Sequence, residues 1–352
     1  MRILVTGAGG LVGQAMVRVC ADAGDQAVGL NHKGLDVADE QKVNAAIERE
    51  RPEIVINCAA WTDVDGCELD PQHAQEANAR GPELLAAACR NINAQFITIS
   101  TDYVFDGEKD GFYTQRDQPN PQGVYARSKL EGERRAQTAW ARTSVVRSGY
   151  IFGPGGTNFL STMLARVRRG ERLQVISDSF GTPTYARDLA KQLYRLGQLD
   201  LPGIYHVVNA GDGASFEDFA RAAIEIAGLN DQVLENVSLE TLNRPAPRPR
   251  NSRLRCLLSE ALGLEPLPFW KDALGLAENS KRKLFLTIRW GKKGLCVGAP
   301  SLSPHPNPLS QRERELSTNS CHPGFFDLPR SVCLVSWSAC AVPQTINKAR
   351  KL

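Results

Sequence analysis

The run Gly7-Ala8-Gly9-Gly10-Leu11-Val12-Gly13 constrains the fold of this chain more than any other stretch. Before it stand Arg2-Ile3-Leu4-Val5-Thr6, mostly apolar and β-prone; after it, Leu11 to Cys20 carry apolar residues at helical spacing. Strand, tight turn and helix in that order are what a phosphate-binding glycine loop requires. Gly7 permits the sharp turn, Gly10 lets backbone approach a pyrophosphate, and Gly13 lets the helix pack close to the sheet. The helix N-terminus then turns free N–H groups toward the phosphates. This reading assigns Gly7, Gly10, Leu11, Val12 and Gly13 to a dinucleotide.

The pattern continues as short buried strands alternating with helices. Strands are expected at 26–30, 54–57, 96–100 and 144–147, with helices at 43–50 and 72–91. Such alternation predicts an α/β fold, a doubly wound, Rossmann-like parallel sheet with right-handed crossovers, over residues 1–150. Beyond residue 150 the order changes. A helix at 158–168, a strand at 173–176, a loop at 179–184 and a helix at 215–227 capped by Ser215 suit a smaller substrate-binding lobe, 151–277. Residues 187–208, a helix and a strand, are expected to return to the main sheet.

Composition limits the function classes. The chain of 352 residues is 42% hydrophobic and 23% charged, which is globular, and no apolar run reaches the length of a membrane span. Ile3-Leu4-Val5 is too short for the apolar core of a signal peptide, so the cytoplasm is expected. The nine cysteines form no Cys-x-x-Cys, and the five histidines form no pair at helical spacing, so no metal is expected. Net charge is +3, but residues 278–352 hold 12 Lys/Arg and 4 Asp/Glu, or +8, which leaves −5 for the body. An acidic body argues against nucleic acid as partner. The same terminal stretch carries seven prolines and no hydrophobic period; it is expected to stay disordered, and it reads as a frameshift or read-through extension rather than an interaction tail.

Chemistry concentrates at three places. In Tyr125-Ala126-Arg127-Ser128-Lys129, helical geometry would set the phenol and the ammonium on one face, where the charge favours phenolate. In Ser100-Thr101-Asp102, a hydroxyl stands at the carboxyl end of a strand, where open α/β sheets bind ligands. At the end of the second strand, Asn31-His32-Lys33 offers no carboxylate to repel a 2′-phosphate, while Asp36 and Val37 come later and suit the adenine edge. Ala59 and Ala60, in Asn57-Cys58-Ala59-Ala60, leave room for the cofactor to pass.

Together these runs resemble the extended short-chain dehydrogenase/reductase superfamily and, within it, the dTDP-4-dehydrorhamnose reductase family. Matching segments include Asn57 to Asp65, Ser100 to Gly107, Tyr125 to Lys129, Gly181 to Asp188 and Arg248 to Ser252, and the likeness covers 1–277. It implies reduction by NADPH, with NADH possible, of a nucleotide-linked 4-keto-6-deoxy sugar. Tyr125 would be the general acid, Lys129 would lower its pKa and hold the nicotinamide ribose, and Thr101 would orient the ketone. Asp102, Tyr103 and Tyr150 would line the sugar. Tyr150 replaces a tryptophan usual in the family, Ser179-Phe180 follow Asp178 where a glutamine is usual, and Ala15 stands where some members place a metal-binding glutamate. The sugar and a homodimer are thus left open. An epimerase, another nucleotide-sugar reductase and a non-catalytic regulatory subunit of the methionine adenosyltransferase type remain alternatives.

Overall fold

The computed structural model describes residues 1–231, 233–259 and 261–277, all within one compact unit. The expectation of a disordered extension at 278–352 lies outside the described residues. In chain order the elements are β1 (Arg2–Thr6), α1 (Leu11–Asp22), β2 (Gln26–Leu30), α2 (Glu40–Glu50), β3 (Ile54–Asn57), α3 (Val64–Leu69), α4 (Pro71–Gln75), α5 (Gly81–Asn91), β4 (Gln95–Thr101), α6 (Val124–Ala139) and β5 (Thr143–Ser148). There follow β6 (Ile151–Phe152), α7 (Phe159–Arg168), β7 (Leu173–Ile176), β8 (Phe180–Gly181), β9 (Thr184–Tyr185), α8 (Ala186–Leu199), β10 (Gly203–His206), β11 (Ala214–Ser215), α9 (Phe216–Ala227) and β12 (Leu234–Val237).

Six strands form one parallel sheet in the order β10-β5-β4-β3-β1-β2. Successive side chains on a strand point to opposite faces, so both faces can be covered. Ile3, Val5, Ile56 and Ile97 pack against Met16 of α1 and Leu189, Leu193 and Leu196 of α8. Leu4, Val55 and Phe96 pack on the other face against Val43, Ile47, Leu85 and Ala136 from α2, α5 and α6. The sheet is therefore doubly wound, and α8 with β10 belongs to it: β10 runs beside β5 with His206 opposite Arg147.

The helix expected at 72–91 is instead interrupted. A π turn at Glu76–Arg80 separates α4 from α5. Its Asn78 side chain turns inward, accepting from Trp61 N at 2.8 Å and donating to Trp61 O at 3.0 Å and to Ser128 Oγ at 3.2 Å. A π turn keeps the chain helical on both sides, so apolar periodicity does not betray it. The loop expected at 179–184 holds two short strands, β8 paired with β11 and β9 paired with β6.

Residues after β5 build a second core, in which Phe152, Leu160, Leu164, Phe219, Trp270 and Leu274 are buried together. Ser215 caps α9 as expected, in a reciprocal capping box with Asp218. A strap at 244–256 returns toward the sheet. Asp65 accepts from Ala246 N at 3.2 Å and Arg248 Nη1 at 2.5 Å, and Tyr113 exchanges backbone bonds with Arg253 and Arg255 at 2.7 and 2.9 Å. Among the described residues no helix is long and apolar enough to cross a membrane.

Candidate active site

A cavity of about 640 Å³ opens at the carboxyl ends of the sheet strands. Its walls come from the glycine turn (Gly9 to Val12), the end of β3 (Cys58 to Ala60), the end of β4 (Ile99 to Tyr103), α6 (Tyr125, Lys129), the turn after β5 (Ser148 to Ile151) and the stretch Gly156 to Phe159. A second cavity of about 580 Å³, around Val207, Asn209 and Leu264, holds none of the residues singled out from the sequence.

The glycine turn is built by contacts that exclude side chains. Gly7 has φ +63°, and a Cβ there would sit 2.6 Å from Ala59 N; a Cβ on Gly13 would sit 2.2 Å from Gly7 O. Gly7 and Gly13 therefore shape the turn and do not line the cavity. Gly10, Leu11 and Val12 do line it. Gly10 is the N-cap of α1, no side chain caps that end, and its first turn carries no acidic residue. Those N–H groups suit a phosphate. Ala59 and Ala60 line the cavity, whereas Asp36 and Val37 do not: Asp36 accepts from Ala38 N at 3.1 Å, and Val37 is buried in the core against α5. At the end of β2, Asn31, His32 and Lys33 are exposed and include no carboxylate. These features fit a dinucleotide bearing a 2′-phosphate.

Opposite stand the reacting groups. Tyr125 and Lys129 lie one turn apart on α6 and face the same cavity as Thr101. The Lys129 ammonium donates to the Ile99 carbonyl at 2.7 Å, and burial lowers its pKa to about 8 against the raising effect of Glu133. Burial raises the Tyr125 phenol above its ordinary value, partly offset by a hydrogen bond with Thr101. Desolvation disfavours phenolate and sets the direction of this shift; the lowering expected from Lys129 is not among its main causes. Tyr125 is held protonated, the state a proton donor needs. Tyr103 meets it edge-on, with ring centroids 6.3 Å apart.

Asp102 and Tyr150 complete the wall. Asp102 is buried, its carboxyl oxygens lie 3.0 Å from Thr101 Oγ1 and 2.6 Å from Ser252 Oγ, and burial raises its pKa to about 6. Tyr150 has φ +50° and stacks among Phe159, Phe216 and Phe219. Sequence reasoning did not single out Ser252, Glu133 or Asn158 as parts of the site. Glu133 lies one turn beyond Lys129 and pairs with Arg147 at 2.7 Å, both buried; its i+4 spacing from Lys129 was the available signal. Ser252 stood in the matching run Arg248 to Ser252, but that run gave it no role, since its partner lies 150 residues earlier.

The sequence profile of the family described as the RmlD substrate binding domain matches residues 1–281. The spore coat polysaccharide biosynthesis protein SpsK of Bacillus subtilis is 37% identical over 273 residues, covering 78% of this chain and 95% of that protein. The dTDP-4-dehydrorhamnose reductase of Mycobacterium tuberculosis is 39% identical over 284 residues, covering 78% of this chain and 92% of that protein. The crystal structure of dTDP-4-dehydrorhamnose reductase from Bacillus anthracis in complex with NADP superposes with a TM-score of 0.77 at 30% identity, covering 79% of this chain and 99% of the other.

Proposed function

Because the chain belongs to the RmlD substrate binding domain family, that of the dTDP-4-dehydrorhamnose reductases, we propose that it is an NADPH-dependent oxidoreductase acting on the C4 ketone of a nucleotide-linked 4-keto-6-deoxy sugar. The finer reading is reduction of dTDP-4-dehydro-L-rhamnose to dTDP-L-rhamnose. One observation carries it: Thr101, Tyr125 and Lys129 converge on a cavity whose opposite wall is an uncapped helix N-terminus. Gly10, Leu11 and Val12 would hold the pyrophosphate, and Lys129 the nicotinamide ribose. When bound, the reduced nicotinamide supplies the hydride. Tyr125 gives its proton to the oxygen at C4, and the Lys129 ammonium stabilises the phenolate left behind. Thr101 orients that oxygen. Val12, Val64 and Phe159 contribute apolar wall that keeps water from the reacting atoms.

The test is turnover of dTDP-4-dehydro-L-rhamnose with NADPH, followed by loss of reduced-nicotinamide absorbance and by chromatography of the sugar nucleotide. The likeness to SpsK makes other 4-keto-6-deoxy sugar nucleotides the comparison substrates. Binding of NADPH without reduction of any of them would refute the reading.

A further inference from the structure

The carboxyl of Asp102 is enclosed on every side by neighbours of known hydrogen-bonding capacity. It is 4% exposed. The backbone of the next turn closes over it, since a Cβ on Gly149 would stand 2.2 Å from Asp102 Cγ and Oδ2. One oxygen takes the Ser252 hydroxyl at 2.6 Å, and the other meets Thr101 Oγ1 at 3.0 Å. An ionised carboxylate has about four acceptor sites and no donor; the backbone N–H groups of Asp102 and Tyr103 add weaker support, the latter shared with Thr101, and no cation among the described residues faces the group, so the compensation for burying a full charge stays incomplete.

The consequence falls on Thr101. Its hydroxyl has one proton and two lone pairs, and one lone pair is taken by the Tyr103 N–H at 3.2 Å. Facing a carboxylate, Thr101 must donate to Asp102, so it can only accept from Tyr125 and has nothing to offer a substrate oxygen. Facing a carboxylic acid, Thr101 accepts from Asp102, and its proton is free to swing into the cavity. Resting on the reductase reading above, we propose that Asp102 is a positioning residue that works as the neutral acid: it donates to Thr101 and thereby turns the Thr101 hydroxyl toward the carbonyl oxygen being reduced.

The groups around it do not compete for this role. Burial raises the Asp102 pKa to about 6, with the Ser252 and Thr101 bonds pulling against that rise. From α6 the cavity presents Tyr125, raised, and Lys129, at about 8. From the end of β3 comes Cys58, raised to about 12. Beside Asp102 stands Tyr103, and after β5 Tyr150, both raised. From the strap come Arg248 and Arg244, held by Asp65, whose own pKa is lowered. Asp102 is the group that changes charge near pH 6. The active form is the protonated one, so kcat/KM is highest below that value and falls as pH rises through it.

Two measurements test this. A carboxyl-stretch infrared titration of wild type minus Asp102→Asn, without substrate, reads the protonation of Asp102 directly. The pH profile of kcat/KM is then compared in wild type, Asp102→Asn, Asp102→Ala and Ser252→Ala. Expected are a carboxylic-acid band lost near pH 6 and a matching fall in wild-type kcat/KM. Asp102→Asn, whose amide always donates, loses that limb. Asp102→Ala has a low-pH rate roughly 10²-fold below that of wild type, the usual worth of one preorganised donor, and a larger loss than Asp102→Asn. Ser252→Ala, lacking a bond that favours the carboxylate, moves the limb to higher pH. A limb that survives in Asp102→Asn, or a carboxyl already ionised well below pH 6, overturns the proposal. Absence of turnover in the wild type at every pH counts against the reductase reading instead, while the infrared titration still decides the state of Asp102.

Discussion

Replacing Gly132 by alanine separates what helix propensity predicts from what packing dictates. Gly132 sits inside α6, three residues after Lys129. Taken as a helix position, the change gains about 1 kcal/mol. In the fold, the new Cβ would lie 2.1 Å from the Asn78 carbonyl oxygen and 3.3 Å from Ala79 Cα, while ordinary contact begins at 3.4 Å. Both neighbours are backbone and cannot rotate aside, so α6 and the π turn must part by about 1.3 Å. Overpacking of this kind costs about 1–3 kcal/mol, and more when backbone must move. Because backbone must move, the cost falls at the upper end, about 2–3 kcal/mol, and the net loss after the helix gain is about 1–2 kcal/mol, read as a melting temperature lower by roughly 2–4 °C for a unit of this size. The larger effect is on rate. The same displacement carries Tyr125 and Lys129, and a misplacement near 1 Å lowers kcat/KM about 10²-fold. Differential scanning calorimetry and NADPH-oxidation kinetics measure the two, with exposed Arg134→Ala on the same helix as the propensity control. A Gly132→Ala protein that melts at or above wild type with unchanged kcat/KM would refute the argument.

Three further outcomes are expected. Tyr125→Phe retains NADPH binding and loses turnover by roughly 10²–10⁴; unchanged kcat removes Tyr125 from the mechanism. Wild type accepts NADPH at least as well as NADH, and Asn31→Asp shifts selectivity toward NADH, because a carboxylate bonds the ribose 2′-hydroxyl and repels its phosphate; a wild-type preference for NADH in kcat/KM contradicts this. Glu133→Gln strands the buried Arg147 guanidinium and costs about 3–5 kcal/mol in chemical denaturation; a cost within ~0.5 kcal/mol, the usual range of a neutral surface change, would show the pair to be dispensable.

Much of the sheet was legible because its signals are local. β1 and β3 lie at the residues their apolar runs indicate, since a strand covered on both faces reads as a short apolar run, and β2 and β7 also lie where they were expected. The glycine turn was legible for the same reason, although Gly7 and Gly13 act by yielding space to backbone instead of meeting a ligand. What escaped was set by distant partners. Asn78 looks like any polar helical residue until Trp61 and Ser128 are placed beside it. The rise of the Tyr125 pKa comes mainly from burial, and burial is a property of the assembled cavity. Asp36 was read as an adenine contact from its distance after β2, and the bond it accepts from Ala38 N was not legible in that spacing.

The bond from Ser252 to Asp102 also sets an order of events during synthesis. The glycine turn, Thr101 and Tyr125 leave the ribosome early, but the hydroxyl that closes over Asp102 is made 150 residues after the carboxyl it binds. At translation rates of about 5–20 residues per second, the nascent chain carries an open, hydrated catalytic wall for roughly 8–30 seconds. A dinucleotide could find its cradle in that interval, whereas the sugar half of the cavity takes shape only after the strap has emerged. Premature termination within the strap would therefore leave a chain that holds the sheet and the glycine turn yet catalyses nothing.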